Sequence, residues 1–366
     1  MQKSRAAVLE SPRRISIQEF NIPQIGPNDG LLKVEMAGVC GSDPKFYHGL
    51  SQINTPIILG HEILGHIEEV GEQAAQRWRV KKGDRVIVEA NIRCGNCYYC
   101  LTGNYHLCQR GMGFGTRLST QVTPSLWGAY SEYMYLHSEA EVHKISEGVP
   151  AEAAVLTSAV IANGIQWVRL LAGATIGDCV VIQGAGQQGI SATVAARESG
   201  ATPVIVTGLS RDSQRLALCR EFGAHHTINV EKEDVTAKVS EITGGRMADV
   251  VVDVTGSPQA LQKSLDLVRP KGTILAAGLT GSETLTPLLI DKIVHKEIRL
   301  QGARSKGAAA VLSAIKLVEA RKYPWERIVS HHYPLEKAEE ALQAVGGDLK
   351  DIYPTKAVIV PHAIIK

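Results

Sequence analysis

Aromatic residues are scarce: tryptophan, tyrosine and phenylalanine together make up 5% of the 366 residues. That leaves no clear platform for stacking a sugar or an aryl group. An excess of one charge is missing too, since the formal net charge is +2. A balance this close to neutral gives no electrostatic reason to expect nucleic acid or an anionic membrane as partner. Long hydrophobic runs are also wanting. The longest, such as CVVIQGAG and PVIV, are strand-length and far short of a spanning helix. The opening MQKSRAAVLESPRR has no apolar core segment and no cleavage-like site, so a cytoplasmic protein is expected. Cysteine is limited to seven residues, an odd count with four inside one short stretch. Such usage argues against an extracellular disulfide framework and for metal binding. Cys179 and Cys219 stand alone in apolar contexts and read as buried core residues.

What is present suits two domains. The composition is 44% hydrophobic and 21% charged, and 35 glycines punctuate two textures. Up to about residue 150, short β runs such as LLKVEMAG, HIEEVG, DRVIVEA and YSEYMYL alternate with Gly, Pro and Asp turns. From about residue 155 the pattern becomes strand, turn, helix in repetition. CVVIQGAG leads into a helical QQGISATVAARESG, PVIVTG into RDSQRLALCREFGA, and DVVVDVTG into PQALQKSLDLV, with GTILAAGL after them. Buried strands alternating with amphipathic helices predict an α/β unit with a doubly wound parallel sheet. The tail reads as helix (KGAAAVLSAIKLVEARKY), β (RIVSHHY), helix (PLEKAEEALQAVGG) and β (KAVIVP).

Two motifs carry chemistry. Cys94, Cys97, Cys100 and Cys108 stand at C-x2-C-x2-C-x7-C. Four thiolates so close satisfy a tetrahedral zinc with no open position, as a structural site requires. An iron–sulfur cluster is the rival, but no Cys-Pro follows and no second cluster run exists. The second motif, Gly184-x-Gly186-x-x-Gly189, follows a buried strand and precedes a helix, which makes it a dinucleotide fingerprint. The expected contacts are Gly184, Gly186, Gln187, Gln188 and Gly189 at the turn, with Thr255 and Gly278 further on. About twenty residues past this motif a carboxylate would take the ribose hydroxyls of NAD. Here the place falls on Gly208 or Ser210, and Arg211 and Arg215 follow. A missing carboxylate beside guanidinium groups leans toward the 2′-phosphate of NADP, with Asp212 as the complication.

The motifs GVCGSD, GHEILGHIEEVG, KKGDRV, the four-cysteine lobe, GAGQQG and TGSPQAL occur in one order. By them the chain resembles, over essentially its whole length, the zinc-containing medium-chain dehydrogenase/reductase superfamily, in its sorbitol and threonine dehydrogenase branch. The resemblance implies a GroES-like, mainly β catalytic domain (residues 1–155 and 300–366, with a zinc lobe at about 90–112). A Rossmann domain (156–299) would be inserted in it, with the substrate cleft between the two. It further implies two zinc ions per chain, NAD(P) and a small alcohol or ketone substrate. By position Cys40 and His61 match catalytic zinc ligands, and Glu62 a carboxylate that binds the metal directly in some members. Ser42 matches the hydroxyl that takes the substrate proton, and Asp43 the carboxylate that orients the ligand histidine.

Two departures stand out. Thr157 and Ser158 occupy the region where many members place a further cysteine or acid, so a ligand set of Cys40, His61 and Glu62 plus one open position is expected. Lys45 replaces a histidine that often relays protons, leaving a relay, an anion-binding or a surface role open, with His48 as a substitute relay. Two other readings compete with the alcohol or polyol dehydrogenase: a zinc-free quinone or enone reductase on the same scaffold, and a non-catalytic dinucleotide-binding relative. Phe46, Trp127 and Leu279 are candidate pocket residues. Family precedent implies a homodimer or homotetramer paired around TLTPLLIDKIVHKEIRLQG.

Overall fold

A computed structural model describes residues 3–281 and 284–363. The chain divides into two compact units, one of residues 1–159 with 315–366 and the other of residues 160–314.

The first unit is built on a mainly antiparallel sheet. Its centre is the strand Gly30–Gly38, paired on one side with Glu62–Val70 and on the other with Ala357–Val360 near the end of the chain. Strand Arg85–Val88 extends the sheet beyond Glu62–Val70, and His331–Pro334 extends it beyond the C-terminal strand. The registers matter for the site. Gly38 lies opposite both Glu62 and Val358, so the end of the first sheet strand, the GHE segment and the tail converge at one sheet end. Lys3–Ser11, Arg14–Asn21 and Ile57–Ile58 form a second, three-stranded sheet. The core of this unit is largely aliphatic, with a few buried aromatics, and the strand Arg85–Val88 is buried at every position. Trp127 belongs to this core: it stacks near Phe114, and its indole Nε1 donates to the Val122 carbonyl at 2.8 Å. Burial thus removes it from the candidate pocket residues.

The second unit is a six-stranded, all-parallel sheet. Its spatial order is His226–Asn229, Val204–Gly208, Val180–Gln183, Ala248–Asp253, Val268–Ala276, Arg299–Gly302. In chain order this is 3-2-1-4-5-6, the doubly wound arrangement, whose ligands bind at the carboxyl ends of the strands where the order reverses. The three central strands are fully buried, which is why their interiors read as short apolar runs. Local signals start the helices: Asp234 accepts from the Thr236 and Ala237 amides, and Ser257 caps Pro258–Leu267 with proline at its first turn.

One helix exceeds the sequence expectation. Ala151–Leu171 is long and apolar enough to cross a membrane by length and composition, with mean hydropathy 1.3. Of that apolar window 78% is buried inside the protein, as in a core helix. It contains two π-helical stretches, Thr157–Ile161 and Ile165–Leu171. Wider turns of this kind collect at functional positions, and the first begins at Thr157.

Candidate zinc and dinucleotide sites

The first unit gathers Cys40, His61 and Glu62. One ligand atom from each lies within 4.8 Å of the others. Cys40 comes from the turn after Gly30–Gly38, and His61 and Glu62 from the turn that opens Glu62–Val70. Two glycines make this approach possible. Gly60 has φ +94°, and a Cβ there would sit 2.5 Å from the Tyr130 ring. A Cβ on Gly38 would lie 2.3 Å from Glu62 Oε2.

A layer of buried side chains holds the three donors. Asp43 is fully buried and its Oδ1 stands 3.3 Å from His61 Nδ1. Its other oxygen accepts from the Cys40 backbone amide at 2.9 Å and from the Tyr130 hydroxyl at 2.8 Å. Burial works against a charged His61, but its interactions with Asp43 and Cys40 outweigh it and hold the pKa well above the imidazole's ordinary value. Burial first, and Asp43 second, push the Tyr130 hydroxyl up, so it remains a donor. Glu62 is also fully buried and pairs through Oε2 with Lys356, whose Nζ donates in addition to the Val39 carbonyl at 3.0 Å. Lys356 is one of the residues that sequence reasoning missed. Its only signal was a charge just ahead of an apolar β run, and pairing in the sheet turns that position inward.

These residues fit a metal ion. A thiolate, an imidazole and a carboxylate are a zinc donor set, and Glu62 Oε1 is buried with no hydrogen-bond partner among the described residues. Asp43 Oδ1 lies beside His61 Nδ1, which leaves Nε2 as the imidazole nitrogen that could hold the ion. Thr157 and Ser158 are buried too, but the Thr157 hydroxyl bonds to the Ala153 carbonyl at 3.2 Å. Ser42 begins the short helix Asp43–Tyr47 without spending its hydroxyl on a cap bond. Lys45 lies half-buried on that helix. His48 faces a different carboxylate, with its Nε2 3.0 Å from Asp348, and it does not join the cluster.

The four cysteines form a second cluster. Their sulfurs lie within 4.8 Å of one another, in a lobe bracketed by the paired strands Asn91–Ile92 and Met112–Gly113. Backbone amides support the sulfurs: Cys94 N–H points to Cys108 Sγ at 3.4 Å, and the amides of Gln109 and Cys100 bring the Cys97 thiol down to about 6. Four sulfurs in one shell suit zinc with no position left open.

In the second unit the glycine turn has the space a pyrophosphate needs. Gly184 has φ +109°, a Cβ on Gly186 would meet nothing within 4 Å, and one on Gly189 would lie 1.9 Å from the Gly184 carbonyl. Gly186 precedes the helix Gln187–Glu198, whose amide end faces outward from the strand ends. Gln187 and Gln188 begin that helix, and both Oε1 atoms are buried and unpartnered among the described residues. Thr255 and Gly278 follow neighbouring strands at the same carboxyl edge, and Thr255 Oγ1 donates to Asp253 at 2.6 Å. Around the ribose position Asp212 is spent inward. Its oxygens accept from the Leu209 amide at 3.1 Å and from Arg215 at 2.7 Å, which also ties up Arg215. Ser210 and Arg211 are exposed.

Residues 26–147 match the family model of the alcohol dehydrogenase GroES-like domain, and residues 189–320 that of the zinc-binding dehydrogenase. The chain belongs to the zinc-containing medium-chain dehydrogenase/reductase superfamily. This dehydrogenase is 38% identical to a probable alcohol dehydrogenase of Mycobacterium tuberculosis over 98% of both chains. It is 33% identical to a sorbitol dehydrogenase of Halalkalibacterium halodurans, over 90% of this chain and 92% of that one. The crystal structure of an alcohol dehydrogenase from Thermotoga maritima superimposes with a TM-score of 0.90 at 29% identity, covering 99% of this chain and 100% of the other. The family expectations of fold and activity hold: this is a GroES-like and Rossmann-type oxidoreductase that acts on CH–OH groups with zinc and a nicotinamide cofactor.

Proposed function

We propose that this dehydrogenase oxidises a secondary alcohol or polyol and passes the hydride to NAD(P), yielding ketone, NAD(P)H and a proton. In this reading residues up to 159 with the tail form the catalytic unit, and residues 160–314 hold the cofactor. The observation that carries it is the buried set of Cys40, His61 and Glu62, with Glu62 Oε1 left unpartnered beside two other donors. Zinc, when bound there, supplies the Lewis acidity that makes an alcohol easier to deprotonate, and the nicotinamide accepts the hydride.

The chain's own residues do the rest. Cys40, His61 Nε2 and Glu62 Oε1 hold the ion, and Asp43 fixes the imidazole so that Nε2 keeps its direction. Ser42 takes the substrate's proton through its uncapped hydroxyl. Lys45, in the place of the family's relay histidine, carries that proton onward. The four cysteines hold a second zinc that organises their lobe. The glycine turn receives the pyrophosphate, and the absence of a carboxylate at Gly208 with Arg211 nearby admits NADP as well as NAD. None of the seven cysteines is paired in a disulfide, which suits a reducing cytoplasm. The edge strand Arg299–Gly302, with Leu300 exposed, and the preceding helix Ile290–Lys296, with Val294 exposed, form the surface through which copies would pair.

The test is metal analysis followed by a panel of secondary alcohols and polyols assayed with both cofactors, before and after chelation. Two zincs per chain and chelator-sensitive oxidation are expected. Activity that survives loss of the Cys40 zinc would move the protein to the zinc-free reductases, and no turnover in any arm would make it a non-catalytic dinucleotide binder.

A further inference from the structure

The loop after strand Val204–Gly208 is the place where a doubly wound fold reads the adenosine ribose, and its own candidate carboxylates are out of play. Gly208 has no side chain, and Asp212 is buried and bonded to Leu209 and Arg215. Another carboxylate reaches the same loop from the neighbouring strand. His226–Asn229 runs parallel to Val204–Gly208 with Asn229 opposite Gly208, so the residues just past Asn229 emerge at the same carboxyl edge. Val230 N–H bonds to the Gly208 carbonyl at 3.0 Å, which fixes where the chain leaves the sheet. One residue further, Glu231 Oε2 accepts from the Ser210 backbone amide at 2.6 Å.

Asn229 locks this arrangement. Its side-chain oxygen accepts from the Glu231 amide at 3.1 Å, and its Nδ2 donates to Ser210 Oγ at 3.1 Å. Ser210 and Glu231 are therefore joined twice, once directly and once through Asn229. The Ser210 bonds, aided by the charges of Arg211 and Lys232, hold the Glu231 carboxyl below its ordinary range, so it is ionised at neutral pH.

We infer that Glu231 supplies, from the adjacent strand, the ribose carboxylate that Gly208 lacks, and that it sets the balance between NAD and NADP. The inference rests on the dinucleotide reading of residues 160–314. An ionised carboxylate accepts a hydrogen bond from the 2′-hydroxyl of NAD. It repels a 2′-phosphate, which carries about −1.5 to −2 charge near neutral pH, and it already occupies the Ser210 amide that such a phosphate would take. Arg211, on the same loop, favours the phosphate. The two side chains pull in opposite directions, and the cofactor ratio reports their difference.

Glu231→Gln keeps an acceptor for the Ser210 amide while removing the charge, and the position is exposed, so the fold is spared. Steady-state kinetics with each cofactor, together with fluorescence titration by NADH and NADPH, give the ratio of kcat/KM for NADP over NAD. That ratio is expected to rise about tenfold in Glu231→Gln, chiefly through the KM for each cofactor. Arg211→Gln is expected to move it the other way. A change of less than about twofold in Glu231→Gln, in a protein that binds both reduced cofactors, overturns the inference alone. Wild-type protein that binds neither NADH nor NADPH overturns the dinucleotide reading, and the inference with it.

Discussion

The two candidate metal clusters of the first unit are built in opposite ways. The four-cysteine cluster is local: its donors fall between Cys94 and Cys108, and backbone amides of the same segment support the sulfurs. The cluster of Cys40, His61 and Glu62 mixes three donor types, and its support comes from Asp43, Tyr130 and Lys356, which are widely separated along the chain. A shell of four sulfurs closes on itself and needs only a turn to hold it. In the proposed site three protein donors would leave a position open for substrate, and each would need fixing from behind by buried hydrogen bonds. Distance along the chain here reflects the difference between holding a lobe together and keeping a reactive site in shape.

The largest expected effects separate the clusters outright. Cys40→Ser should lose one zinc and lower kcat/KM by at least about a thousandfold, the scale of removing a principal electrostatic stabiliser. Its Tm should stay close to that of the wild type. Cys97→Ser should lose the other zinc and lower Tm by roughly 5–10 °C, taking about 2–4 °C per kcal/mol for a unit of this size. Metal content, Tm and kcat/KM on the same preparations decide the matter. A large Tm loss in Cys40→Ser with full stability in Cys97→Ser would invert the assignment.

Next in size is the ion pair behind Glu62. Removing one member of a buried pair leaves the other charge without compensation, at a cost of about 3–5 kcal/mol. Lys356→Met should show that loss in urea unfolding of the metal-stripped protein. Zinc at Glu62 offsets part of it, so adding zinc should raise the Tm of Lys356→Met more than that of the wild type. The double variant Lys356→Met, Glu62→Gln should recover most of the stability while staying inactive. Equal zinc responses in Lys356→Met and wild type would show that the pair does not sit behind the metal site.

The same contrast explains what the sequence disclosed. The four cysteines were legible because a local site leaves its spacing in the sequence, and the glycine turn because strand, turn and helix are contiguous around it. The parallel sheet followed from strands buried on both faces. Lys356 was not legible, because a lysine before AVIV looks like a solvated strand end until pairing with Gly30–Gly38 turns it inward. Tyr130 in GAYSEY read as one more β-run aromatic, and Trp127 as a pocket residue although it is core. Glu231 lies far past the glycine turn and reaches Ser210 only through the register of two parallel strands. The helix Ala151–Leu171 escaped because Asn163, Gly164, Gln166 and Arg169 break its apolar run into short pieces. Most of these misses involve a side chain whose role is set by a partner distant in sequence.

The smallest effect tests the outermost part of that support. Tyr130 touches no donor atom of the candidate zinc; its hydroxyl donates to Asp43 Oδ2 at 2.8 Å, and Asp43 in turn faces His61. Tyr130→Phe removes this one bond and keeps the ring that packs against Gly60. Asp43 Oδ2 retains the Cys40 amide, so the carboxylate is loosened and not freed. Loss of such outer partners costs about 10–100-fold in metal affinity, and with one of two donors remaining the lower end applies. Zinc release to a chromophoric chelator should therefore speed up about tenfold for one of the two ions, while the four-cysteine ion leaves at the wild-type rate. Acceleration of both would mean that Tyr130 supports the unit as a whole. An unchanged rate at the Cys40 cluster would remove Tyr130 from its support and reduce the contrast between the clusters to donor type alone.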